Sequence, residues 1–113
     1  MAERILKVNQ LIKKELSQIL LREVDFPEGV LVTLTRVESA QDLNQANVYI
    51  SVLPENKIKQ VLEILNRSVY FLQQKLNKRL RMRPTPKIQF TEEKQTLEAG
   101  KIEELLYRIS KQK

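Results

Sequence analysis

Across residues 58–80, between Pro54 and Pro84, Ile58, Val61, Leu62, Leu65, Val69, Leu72, Leu76 and Leu80 recur at steps of three and four. Only an α-helical period gathers such a set onto one side. A helical region this long and apolar on one side alone cannot stand by itself. It has to bury that stripe against a second layer supplied by the same chain. Pro84 and Pro86 close the region, and Pro84 turns Arg83 toward an extended backbone.

The rest of the chain supplies candidates for that layer. Ile5, Val8, Ile12, Leu16 and Ile19, widened by Leu11 and Leu20, predict an amphipathic helix from about Arg4 to Arg22. Pro27 and Gly29 punctuate the chain, and a β-rich stretch follows from Val30 to about Ser39. Ala40 to Asn44 is polar, with Asp42 and Asn44 suited to a turn. Ala46, Val48, Ile50 and Val52 then alternate with Asn47, Tyr49 and Ser51, which predicts a half-buried strand paired as a hairpin with the one before it. Ile88 and Phe90 make a short third strand. A polar stretch with Glu92, Glu93 and Lys94 leads to a last helix at about 97–110, carrying Ile102, Leu105, Leu106 and Ile109. At 113 residues the chain suits one α+β domain.

Two courses are open to the long helical region. Unbroken, at about 100° per residue, it puts Leu65, Val69, Leu72, Leu76 and Leu80 on one face. Arg67, Lys75, Lys78, Arg79 and Arg81 then share the opposite face, with Tyr70 and Phe71 exposed among them as stacking platforms for unpaired bases. Alternatively the helix breaks near Ser68, and the second half rotates Phe71 into the core. Aromatic residues make up only 5% of the chain, and a small core would draw on those rings, which favours the break.

Charge is placed as unevenly as the apolar residues. Between Glu63 and Glu92 there is no acid, while Arg67, Lys75, Lys78, Arg79, Arg81, Arg83 and Lys87 supply seven positive charges. The whole chain carries +6, so the remainder carries −1. Solvated helix faces usually mix signs, because like charges four residues apart, such as Lys75 and Arg79, repel by a few tenths of a kcal/mol. An uncompensated run of this kind predicts a polyanionic partner, nucleic acid before an acidic protein or lipid surface.

Catalysis finds little to work with. Histidine and cysteine are both absent, so no nucleophile has an imidazole base and no thiolate metal site can form. Glu92-Glu93 and Glu103-Glu104 are the adjacent carboxylate pairs, and in a helix neighbouring side chains diverge by about 100°. There is no Gly-rich phosphate loop and no metal-ligand spacing. Charges interrupt the N-terminal stretch, and no apolar run approaches the roughly 18 residues of a membrane span. The sequence therefore predicts a soluble, cytoplasmic, non-enzymatic protein without cofactor or metal.

Two segments carry a family resemblance. Val37 to Ser51, with Asp42-Leu43, Ala46 and Val48-Tyr49 at the expected spacing, resembles the strand–turn–strand signature of the bacterial ribosome-binding factor A family. Leu80-Arg81-Met82-Arg83-Pro84-Thr85-Pro86-Lys87-Ile88-Gln89-Phe90 is similar to that family's second signature, a basic helix end running through proline into a strand. Leu97 to Ile109 resembles its terminal helix. The resemblance spans nearly the whole chain. It implies a variant type II KH-like domain over residues 1–113: a three-stranded sheet with helices packed on one face, in the order α-β-β-α-kink-α-β, plus the C-terminal helix.

The resemblance also implies a monomeric assembly factor that binds the free 30S subunit and its 16S ribosomal RNA near the 5′ end. Such a factor promotes late small-subunit maturation, notably in the cold, with ribosomal proteins as further candidate contacts. The RNA-binding residues would be Arg67, Lys75, Lys78, Arg79, Arg81, Arg83 and Lys87. Ordinary KH domains clamp RNA through a Gly-x-x-Gly loop, which a chain holding only Gly29 and Gly100 cannot build. The family's Ala-x-Gly helix kink falls here on Ser68, Val69 and Tyr70, so both signature residues differ, and its acidic residue after the third strand appears as Glu93. The competing reading is a basic protein–protein adaptor, or a general RNA-binding module with no ribosomal role.

Overall fold

A computed structural model describes residues 2–82 and 85–94. Arg83 and the helix expected at 97–110 lie outside the described residues. In chain order the elements are α1 (Ala2–Glu23), β1 (Leu31–Ser39), β2 (Gln45–Leu53), a 3₁₀ turn (Glu55–Lys57), α2 (Ile58–Arg67), α3 (Val69–Leu80) and β3 (Lys87–Glu92). The sheet order is β1-β2-β3, with β1 and β2 antiparallel and β2 and β3 parallel. A parallel pair needs a long crossover, and the two helices between β2 and β3 provide it.

Alternation decides which side of the sheet is covered. Ala46, Val48, Ile50 and Val52 of β2 are buried, and so are Leu34, Val37, Ile88 and Phe90 on the flanking strands. Against them lie Ile12, Leu16 and Ile19 of α1, Val61 and Leu65 of α2, and Leu72, Leu76 and Leu80 of α3. Each such side chain contributes about 2 kcal/mol relative to exposure. The other sheet face stays open and carries Thr33, Asn47, Tyr49, Ser51 and Gln89. At the hairpin turn, Asp42 accepts the Asn44 amide at 3.0 Å and its side-chain nitrogen at 2.9 Å. Leu43 adopts a left-handed backbone there (φ 59°), held by its packing on the core.

The long apolar stripe is broken, and the break is one residue wide. Ser68 leaves the helical region (φ −100°, ψ 4°), yet its amide still donates to the Ile64 and Leu65 carbonyls and its carbonyl accepts the Leu72 amide at 2.9 Å. The two halves can therefore follow different partners. Helix α2 lies on β2 and β3, whereas α3 lies on α1 and β3. The break does not deliver Phe71 to the core as expected. Phe71 stays 46% exposed and Tyr70 75% exposed, because Leu72, Leu76 and Phe90 already occupy that space.

Two polar devices fix where β3 begins and ends. At its start, Gln73 of α3 donates to the Pro86 carbonyl at 3.0 Å and accepts the Ile88 amide at 2.9 Å. At its end, the Glu93 amide donates to the Ile50 carbonyl at 2.8 Å. The Glu93 side chain then crosses the open sheet face to β1. There Thr35, the extra residue of a β-bulge, donates to its carboxylate at 2.7 Å, and Arg36 donates at 2.8 Å. Arg36 also pairs with Glu38 and lies 3.9 Å over the Tyr49 ring.

The hydrogen bond from Arg36, helped by that from Thr35, holds the Glu93 carboxyl below the ordinary carboxylate range. A carboxyl whose folded pKa is lowered stabilises the fold above its unfolded pKa, near 4.3, and loses that contribution as pH falls through the folded value. Glu93→Gln should therefore cost up to about 1 kcal/mol at neutral pH. In urea titrations the gap to wild type should close in acid, below the ordinary carboxylate range. A gap that persisted there would assign the loss to something other than charge.

Candidate nucleic-acid interface

Burying Leu72, Leu76 and Leu80 decides which way every other side chain of α3 points. One flank of that stripe meets β3 through Gln73, whose side chain also donates to that of Asn77 at 3.0 Å. The opposite flank meets α1 through Lys75 and Arg79. What remains faces away from the core: Tyr70, Phe71, Gln74 and Lys78, all exposed.

The seven cations consequently do not form one ridge. Arg79 donates to Glu15 of α1 at 2.8 Å and to Gln18 at 3.2 Å, and its side chain is 31% exposed. Lys75 lies 3.8 Å from Glu23, near the end of the same helix. The expectation that these two crowd each other uncompensated is corrected. The helices run antiparallel, so carboxylates remote in sequence answer both charges. Their placement on one face with Lys78 and Arg81 is corrected with it.

Arg67, Lys78, Arg81 and Lys87 are exposed and pair with no carboxylate among the described residues. Arg67 ends α2 beside the break, and Lys78 projects from the outer side of α3. Lys87 departs from the group. Ile88 and Phe90 point into the core, so the pleat sends Lys87 to the open face of the sheet. Arg83 lies outside the described residues.

The outer side of α3 thus combines cations with rings. Lys75 Nζ stands 5.3 Å from the Phe71 ring centre, bridging the α1 contact and the exposed aromatic pair. Ser68 precedes α3 without capping it by its side chain, and the first amides of a helix lack intrahelical acceptors. Rings, cations and amide donors at the break suit unpaired bases joined by phosphates. Among the described residues no group of three or more metal-ligating side chains comes together. Sequence reasoning missed the roles of Glu15, Gln18, Glu23 and Gln73. The only available signal was that Glu15 and Glu23 lie two turns apart along α1, which says nothing about the helix they meet.

Comparisons with known proteins agree with this architecture. The sequence profile described as "Ribosome-binding factor A" matches residues 4–106. A ribosome-binding factor A from Halothermothrix orenii is 31% identical over 111 residues, covering 97% of this chain and 91% of that protein. The crystal structure of ribosome-binding factor A from Thermus thermophilus superposes with a TM-score of 0.69 at 24% identity, over 78% of this chain and 93% of that one. A solution structure of a Thermotoga maritima protein, provisionally named ribosome-binding factor A, gives 0.59 at 35% identity, over 84% and 88%. A homology model of the Thermus thermophilus factor, fitted into an electron cryo-microscopy map of its complex with the 30S subunit, gives 0.62 at 25% identity, over 74% and 88%. The fold is the KH-like one of these structures, a three-stranded sheet with helices on one face.

Arg81 closes α3 in a left-handed conformation (φ 54°, ψ 37°), its amide reaching the Asn77 carbonyl at 3.4 Å. Glycine takes that cap position at no steric cost, whereas an L side chain costs about 1 kcal/mol or more. Arg81→Gly should therefore leave stability unchanged or raise it by up to about 1 kcal/mol, offset in part by the freer unfolded chain. Arg79→Ala should lower it by up to about 1 kcal/mol through the lost Glu15 pair. Thermal unfolding of the two variants checks this opposite ordering of neighbouring arginines.

Proposed function

The chain belongs to the ribosome-binding factor A family, and on that premise we propose that it is a cytoplasmic, non-enzymatic factor of small-subunit assembly. It binds the free 30S subunit and its 16S ribosomal RNA near the 5′ end and promotes late maturation. Residues 1–113 act as one KH-like RNA-binding unit, monomeric and without cofactor, the C-terminal helix at about 97–110 included. The observation that carries this reading is the outer side of α3 beside the Ser68 break. There exposed Tyr70 and Phe71 stand with Arg67 and Lys78, and Arg81 closes the far end of the same helix; none of the three cations has a counter-charge among the described residues.

The mechanism is passive. Arg67, Lys78 and Arg81 contact phosphates and supply affinity that is independent of base sequence. Tyr70 and Phe71 stack on unpaired bases, each stack being worth about 1–3 kcal/mol. Binding only one arrangement of the RNA shifts its conformational equilibrium toward that arrangement, by no more than the difference in affinity. Lys75 and Arg79 serve the fold first, since their glutamate partners must be displaced before either reaches a phosphate. Lys87, on the open sheet face, makes a separate and weaker contact.

With about three phosphate contacts, log K for small-subunit RNA should fall against log salt with a slope of roughly −2 to −3. The double variant Lys78→Glu/Arg81→Glu should abolish most of that slope while remaining folded, and Phe71→Ala should weaken binding without changing it. A slope near zero for wild type removes the electrostatic basis of the reading and leaves the protein-adaptor alternative. In cell extracts the tagged protein should sediment with free small subunits and be absent from translating ribosomes.

A further inference from the structure

An apolar groove of about 350 Å³ lies on the far side of α1 from the RNA-facing residues, between the C-terminal end of α1, the loop after it and β1. Leu20, Val24, Phe26 and Leu34 form its floor. Leu21, 87% exposed, and Leu31, 60% exposed, stand at its rim. Strand β1 is the outer strand of the sheet, so its free edge borders the groove. Leucines this open beside a groove cost free energy in water and mark a surface that something covers. The loop adds a second property: Asp25 and Glu28 are exposed along it, so acidic side chains adjoin an apolar floor.

We propose that the groove is the intramolecular dock of this chain's own C-terminal segment, Leu105–Lys113. Three observations converge on that occupant. Its chemistry is complementary: Leu105, Leu106, Tyr107 and Ile109 are apolar, while Arg108, Lys111 and Lys113 give +3 with no acid among them. Its origin is close. Leu34, Ile50 and Glu92 stand in one row across the sheet, so the end of β3 lies about 10 Å from β1 at the usual strand spacing. The Glu93 side chain already bridges that gap on the open face to reach Thr35. Its tether is long enough, since the ten residues 95–104 span about 15 Å as helix and about 33 Å extended. The apolar side chains of the segment would fill the floor, and its cations would lie beside Asp25 and Glu28.

The absence of cysteine allows a direct test. A nitroxide attached at Gln112→Cys in the full chain should strip most intensity from the amide resonances of Leu20–Leu34. Reducing the nitroxide should restore it. The double substitution Leu21→Asp/Leu31→Asp changes two exposed side chains and should abolish the effect, with unchanged β2 resonances showing that the fold persists. Three results would overturn the proposal. One is full intensity throughout. Another is loss centred on Leu53–Ile58, which would put the segment in the cleft of about 410 Å³ beside Lys94. The last is equal loss when the nitroxide sits on a second, isotopically silent copy, which would make the occupant a neighbouring molecule.

Discussion

The seam of Leu72, Leu76 and Leu80 holds three parts of this protein in register. These side chains are buried between α1 and the sheet, so their burial orients α3 against both partners at once. Truncating any of them would leave a cavity in a close-packed interior, at a cost of about 2–5 kcal/mol. The seam also settles what α3 shows to solvent. With leucines inward, Gln73 must face β3, Lys75 and Arg79 must face α1, and Tyr70, Phe71 and Lys78 must face water. The candidate interface is the geometric remainder of the packing.

That remainder divides the basic residues into two kinds. Lys75 and Arg79 face carboxylates on a neighbouring helix, and surface pairs of this sort contribute modestly to stability. Arg67, Lys78 and Arg81 have no such partner among the described residues. Arg81 adds a left-handed backbone that glycine would adopt more readily. Local structure that works against stability concentrates at binding sites, where a partner repays it. The break at Ser68 lets α2 and α3 follow different partners while the Ser68 amide and carbonyl both stay hydrogen-bonded.

Glu93 and Gln73 do related work at opposite ends of β3. The strand is six residues long and, among the described residues, pairs with β2 alone. A short parallel edge has few backbone bonds to hold it. Gln73 ties its first residues to α3, and Glu93 ties its end to β1 across the open sheet face. At the break this chain has Ser68 and Tyr70 where the family resemblance implies alanine and glycine, and the helix still breaks there.

Over the described residues, the sequence alone determined the element order, the class of fold and the location of the excess charge. Periods of two and 3.6 residues are local properties, and so are the prolines and the acid-free run from Ile64 to Thr91. The break near Ser68 was legible too, though for the wrong reason: the aromatics stayed outside, because leucines filled the core first. Which cations remain free was decided only by the tertiary structure. A helical wheel ranks residues around one axis and carries no information about the helix packed beside it. Glu15 and Glu23 precede their partners by more than fifty residues, and only the antiparallel docking of α1 on α3 brings the charges together. The pleat of β3 likewise sent Lys87 to the other side of the sheet. Electrostatic pairing acts through space over a few ångströms, so no pattern read along the chain could assign it.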